Sequence, residues 1–153
     1  MIDVEIEDPA WTQALPDAEA LVWVAGEAAL LLSSILPGGA GGGVTVLLTD
    51  DETVRDLNAR FRSQDKPTNV LSFPAPTNPE RFLGDVALAY GVCAREAVEQ
   101  GKPLADHLRH LVAHGVLHLL GYDHTSDDEA LEMEGLERTI LAGLGIADPY
   151  QAR

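Results

Sequence analysis

The chain has 153 residues, 46% apolar and 23% charged, which is enough apolar surface for one compact domain with a sizeable core. Its formal net charge of −15 disfavours broad attraction to nucleic acid or to an anionic membrane surface. One cysteine, Cys93, excludes an internal disulfide; no apolar run spans a membrane comfortably, and the acidic start MIDVEIEDPAW lacks the regions of a secretory signal, so a cytoplasmic protein is expected.

In chain order, Ile2, Val4 and Ile6 alternate with acidic neighbours as a half-buried strand. Helical spacing covers residues 17–36 and stops at Pro37 and the GGAGGG run of 38–43, a linker rather than a phosphate loop because no Lys-Ser or Lys-Thr pair follows. Residues 44–48 read as a strand, and Thr49 with Glu52 as a capping box for a helix from 50 to about 61. Residues 69–73 are β-like, Pro74, Pro76, Asn78 and Pro79 stiffen a loop, and 84–90 form a further strand. Helices are expected at 92–100, at 103–120 with Pro103 in the first turn, and at 126–144 with Ser126 and Glu129 as a capping box. With no internal repeat and no domain boundary, this order predicts one α+β domain over residues 1–153: a small central sheet packed by helices, with the histidine-bearing helix in the C-terminal half.

The charges are uneven. Residues 1–43 hold seven acidic residues and no Lys or Arg. A second acidic block contains Asp123, Asp127, Asp128, Glu129, Glu132, Glu134 and Glu137. Both blocks read as solvated faces. The short stretch carrying Arg55, Arg60, Arg62 and Lys66 is the one anion-facing segment.

The chemistry lies in His114-Gly-Val-Leu-His118-Leu-Leu-Gly-Tyr-Asp-His124. Four-residue spacing on a helix puts His114 and His118 on one face, about 6 Å apart along the axis. Gly121 can end the helix in a left-handed conformation, so that His124 swings back as a third ligand. Three neutral imidazoles leave one Zn²⁺ ion with an open position, as in a catalytic site; Asp123 is the candidate fourth ligand of a closed structural one. The spacing matches the zinc-protease pattern H-E-x-x-H-x-x-G-x-x-H, but Gly115 replaces the glutamate that serves there as general base. The metal geometry is kept without the protease's proton acceptor. His107 and His110 share the helix and are expected at the surface or in local hydrogen bonds.

These residues, with Leu57-Asn58-x-x-Phe61-Arg62-x-x-Asp65-Lys66-Pro67-Thr68-Asn69-Val70-Leu71-Ser72-Phe73-Pro74 and Leu83-Gly84-Asp85-Val86, resemble the YbeY family of bacterial endoribonucleases from about residue 44 to 140. The resemblance implies a metal-dependent, single-strand-specific endoribonuclease. Its substrate would be ribosomal RNA precursor, notably the 3′ end of the small-subunit RNA, and its role would extend to ribosome quality control. It further implies zinc on His114, His118 and His124, activity associated with Arg62 and His114, and partners among small-subunit proteins or assembly factors. Arg62 offers a planar fork for a phosphate, although an arginine at a helix end also commonly caps a carbonyl. Arg60 and Lys66 are candidate phosphate contacts. Asn69 and Ser72 either line the cleft or shape the turn, and Asp85 either supports a histidine or caps a loop. Phe61 and Phe73 are read as packing residues, with base stacking as the alternative. Two rival functions remain at this level: a metallohydrolase acting on a peptide or small ester, and a non-catalytic ribosome-assembly factor stabilised by zinc.

Overall fold

The computed structural model describes residues 2–34, 42–76, 78–79, 81–123 and 125–150. A four-stranded sheet runs in the order β1 (Ile2–Ile6), β2 (Gly43–Thr49), β4 (Phe82–Ala89), β3 (Val70–Pro74). β1, β2 and β4 are parallel, and β3 pairs antiparallel with β4 to form an edge. Helices α2 (Ala18–Ser34) and α5 (Leu104–Leu119) cover one face, while α3 (Asp51–Arg62) packs on the other. The remaining helices are α1 (Ala10–Ala14), α4 (Tyr90–Glu99) and α6 (Asp127–Gly143).

The main core lies between the sheet and α2 and α5, where Val44, Val46, Leu48, Val86 and Leu88 meet Val22, Leu108, Val112 and Val116. A smaller cluster beneath α3 joins Val54 to Leu71, Ala87 and Ala89. β4 is thus buried on both faces along 86–89, as a strand between two helical layers must be.

The expected α+β domain is observed, with local differences. The short α1 was not expected; it exists because Trp11 is fully buried and its indole N–H donates to the Thr49 carbonyl at 3.0 Å. Thr49 is the last residue of β2, its hydroxyl donates to Glu7, and the α3 cap is instead Asp50, which accepts from the Thr53 N–H at 2.7 Å. The sheet claims Thr49, so the cap falls one residue later. Ser126 caps α6 as expected, accepting from the Glu129 N–H. Pro103 is the N-cap of α5 rather than its first helical residue. Tyr90 begins α4 instead of ending β4. The glycine linker falls mostly on residues 35–41, outside the described residues. Among the described residues no helix is long and apolar enough to cross a membrane.

Candidate metal centre

His114 and His118 project from α5 with ring centroids 4.5 Å apart and their Nε2 atoms 3.0 Å apart. Each ring is held from behind. α5 ends where Gly121, at φ 102°, turns the chain left-handed, with the Gly121 N–H on the His118 carbonyl and the Tyr122 N–H on that of Leu117. That turn carries the Tyr122 carbonyl back to His118 Nδ1 at 3.0 Å. A carbonyl only accepts, so Nδ1 bears the proton and Nε2 of the neutral ring bears a lone pair.

The second support is Glu137 of α6, whose Oε1 lies 2.5 Å from His114 Nδ1. Its side chain has no solvent exposure. Burial pushes the carboxyl up, but His110, His114 and Tyr150 together outweigh burial and pull it down to about 2. The Tyr150 hydroxyl donates to its other oxygen. Ionised Glu137 accepts from Nδ1–H, so that in the neutral tautomer His114 Nε2 is the atom that carries the lone pair.

With both rings in these tautomers, the two Nε2 atoms 3.0 Å apart present an acceptor pair of the kind that can hold a cation. Two nitrogens on tetrahedral zinc bonds of 2.0–2.1 Å stand about 3.3 Å apart, so the pair fits such an ion. A buried carboxylate behind one histidine and a carbonyl behind the other are the usual supports of metal-bound imidazoles. The third expected ligand, His124, lies outside the described residues. Among the described residues no group of three potential ligands converges. Asp123 lines the same cleft.

The cleft in front of the histidines holds about 450 Å³ and is walled on the far side by β3 and Arg62. Arg62, in the last turn of α3, donates to the Ser72 carbonyl and lies 5.7 Å from the centroid of Phe73. It therefore caps a carbonyl, as an arginine at a helix end commonly does, yet in a place that lines the cleft. The Ser72 hydroxyl donates to the Gly115 carbonyl at 3.1 Å, tying β3 to α5. Asn69 lines the cleft and also shapes the chain, accepting from the Val70 N–H and donating to Glu96.

Arg60 is turned to Asp56 at 3.1 Å, Arg55 pairs with Asp65 at 2.8 Å, and neither lines the cleft. Lys66 is exposed on the loop beyond α3, where the buried Asn58 side chain donates to its carbonyl. Asp85 is exposed and paired in register with Thr45 and Phe73, on the sheet face away from α5, so it supports none of the described histidines. Phe61 is 66% exposed and is not a core residue, because the last turn of α3 passes the edge of the sheet.

Gly115 shows why the protease glutamate is missing. A Cβ there would stand 2.7 Å from Val86 Cγ1, so α5 lies too close to the sheet for any side chain. His107 is buried with Nε2 2.9 Å from Glu96, and burial lowers its pKa; His110 sits against Tyr150 and Glu137. The local hydrogen bonds expected of both exist, but neither ring is at the surface.

Glu137 and Tyr150 are the residues of the candidate site that the sequence did not single out. Glu137 lies in an acidic block that reads as a solvated face, yet it shares the inward stripe of Met133, Ile140 and Leu141. An acid at a core position of an amphipathic helix was the available signal.

A family profile described as endoribonuclease YbeY matches residues 18–145. The chain is 54% identical to the endoribonuclease YbeY of Paramagnetospirillum magneticum, over 97% of this chain and 94% of that one. It is 53% identical to the endoribonuclease YbeY of Azorhizobium caulinodans, over 97% and 95%. Among solved structures it is similar in fold to TM1509 from Thermotoga maritima, known in solution, with a TM-score of 0.55, 23% identity and 99% of both chains covered.

Proposed function

The chain belongs to the YbeY family of endoribonucleases, and from that premise we propose that it cuts single-stranded RNA with one zinc ion held by His114, His118 and His124. The observation that carries the reading is the pair of Nε2 lone pairs converging in a cleft whose opposite wall presents Arg62. A bound zinc ion would supply Lewis acidity towards a phosphoryl oxygen and a nucleophile at neutral pH.

The remaining work falls to the protein. Glu137 and the Tyr122 carbonyl fix both imidazole rings in the tautomer that points a lone pair into the cleft. The Arg62 guanidinium forks towards the non-bridging oxygens of a phosphate, whose charge grows in the transition state. Its bond to the Ser72 carbonyl and its contact with Phe73 hold the fork in place before substrate arrives. Gly115 leaves the zinc-protease base position without a side chain, which favours a phosphodiester over a peptide. We read the substrate as ribosomal RNA precursor at the 3′ end of the small-subunit RNA. It would be met in the cytoplasm, with small-subunit proteins or assembly factors as partners; the family membership supports this.

The test compares metal-loaded and chelator-treated protein on single-stranded, duplex and small-subunit precursor RNA. Metal-loaded wild type should cut the single strand and the precursor. His114→Ala should lose both metal, by elemental analysis, and cleavage. Arg62→Ala should keep metal and fold but cut on the order of 100-fold more slowly, the scale of losing one charge-stabilising donor. Full activity in Arg62→Ala removes its role, and uncut RNA with metal-loaded wild type sinks the reading. Product ends distinguish the nucleophile, since a 2′,3′-cyclic phosphate assigns attack to the ribose hydroxyl.

A further inference from the structure

Phe61 is 66% exposed at the last turn of α3, immediately before Arg62. Its ring meets that of Phe73 edge-to-face, with centroids 5.6 Å apart and planes at 68°. The Phe73 ring also carries the Arg62 guanidinium at 5.7 Å. Phe61, Phe73 and Arg62 therefore form one continuous strip over the open edge of β3, apolar at its outer end and cationic where it enters the cleft. The local charge is also distinctive. Arg55 and Arg60 are engaged by Asp65 and Asp56, whereas among the described residues neither Arg62 nor the exposed Lys66 forms an ion pair with a carboxylate.

We infer that Phe61 is a base-stacking platform, on which one unpaired base beside the scissile phosphate lies while a neighbouring phosphate meets Arg62. This rests on the endoribonuclease reading above and adds to it a residue that positions the strand. An exposed aromatic ring next to a cation that no carboxylate neutralises is the surface that single-stranded nucleic acid needs, because every base has a π-face and the backbone between bases is anionic. Only an unpaired base can splay onto the ring, so the platform also contributes the preference for single strands. Phe73 fixes the ring's tilt from below, and the exposure of Phe61 leaves it open to an incoming base.

The experiment places 2-aminopurine at successive positions of a short single-stranded oligoribonucleotide and follows its fluorescence, which stacking quenches and which needs no cleavage. Wild type should quench the probe at one position beside the cut site. Phe61→Trp should retain the quench; Phe61→Leu, apolar but without a π-face, should lose it and bind on the order of 10- to 100-fold more weakly. An abasic residue at that position should weaken wild type by the same factor and leave Phe61→Leu no weaker than before. Circular dichroism checks that each variant is folded. Quenching that survives in Phe61→Leu, or an abasic penalty equal in both proteins, overturns the platform even if the RNA is cut. Quenching intact with no cleavage by wild type supports the platform and counts against the endoribonuclease reading instead.

Discussion

A carboxylate without solvent exposure is costly to ionise unless its surroundings supply positive charge and donors. Glu137 receives a ring N–H from His114 and a hydroxyl from Tyr150, with His110 Nε2 3.6 Å from Oε1. An ionised acid behind His114 orients the ring and fixes which nitrogen faces the cleft. Replacing it by Gln keeps the size and one acceptor oxygen but removes the charge. Glu137→Gln should therefore keep its fold while zinc affinity falls about 10- to 100-fold, measured by competition with a chromophoric chelator. Unchanged affinity would mean that Glu137 only fills space under α5.

α5 shows at the scale of an element how helix and sheet are spaced for the site. Its approach to β4 depends on Gly115, where an added Cβ would meet Val86 Cγ1 at 2.7 Å and the Ser72 hydroxyl at 3.3 Å. Two effects oppose each other in Gly115→Ala. Helix propensity gains about 0.8–1.0 kcal/mol, while forcing a methyl into a packed contact costs about 1–3 kcal/mol. Val86 is fully buried and β-branched, so it yields poorly and the packing cost should win. The expected result is a melting temperature lower by a few degrees, with Val86→Ala and Gly115→Ala together costing less than the sum of the two. A more stable Gly115→Ala would show that Val86 moves aside. The same helix marks what sequence can reveal. His114, His118 and Gly121 were legible because helical spacing and a helix-ending glycine act within one turn or two. β1 and β4 were legible by alternation. α1 was not, since its five residues depend on Trp11 reaching the Thr49 carbonyl. That Arg62 caps a carbonyl was one legible reading, but which carbonyl was not, because only the pairing of β3 with β4 brings that of Ser72 beside the end of α3. Glu137 looked like its acidic neighbours because its burial is decided by what α6 packs against.

Charge sets the behaviour of the molecule as a whole. With 25 acidic residues against 10 Lys and Arg, the protein repels RNA at long range, so binding must be won locally. Arg55 and Arg60 are engaged by carboxylates, so on the reading proposed above Arg62 and Lys66 would be the main phosphate contacts. Each phosphate neutralised on a single strand contributes about −0.7 to the slope of log affinity against log salt. Two contacts then give about −1.4, and screening of the overall repulsion makes the observed slope shallower still. Titrating a single-stranded oligoribonucleotide between about 50 and 300 mM salt should yield a slope no steeper than about −2. Lys66→Ala should flatten it by about 0.7, with weaker binding at every salt concentration. A slope near −5 would require several more cations on the RNA path than this surface offers, and would place the strand somewhere other than the cleft between α5 and β3.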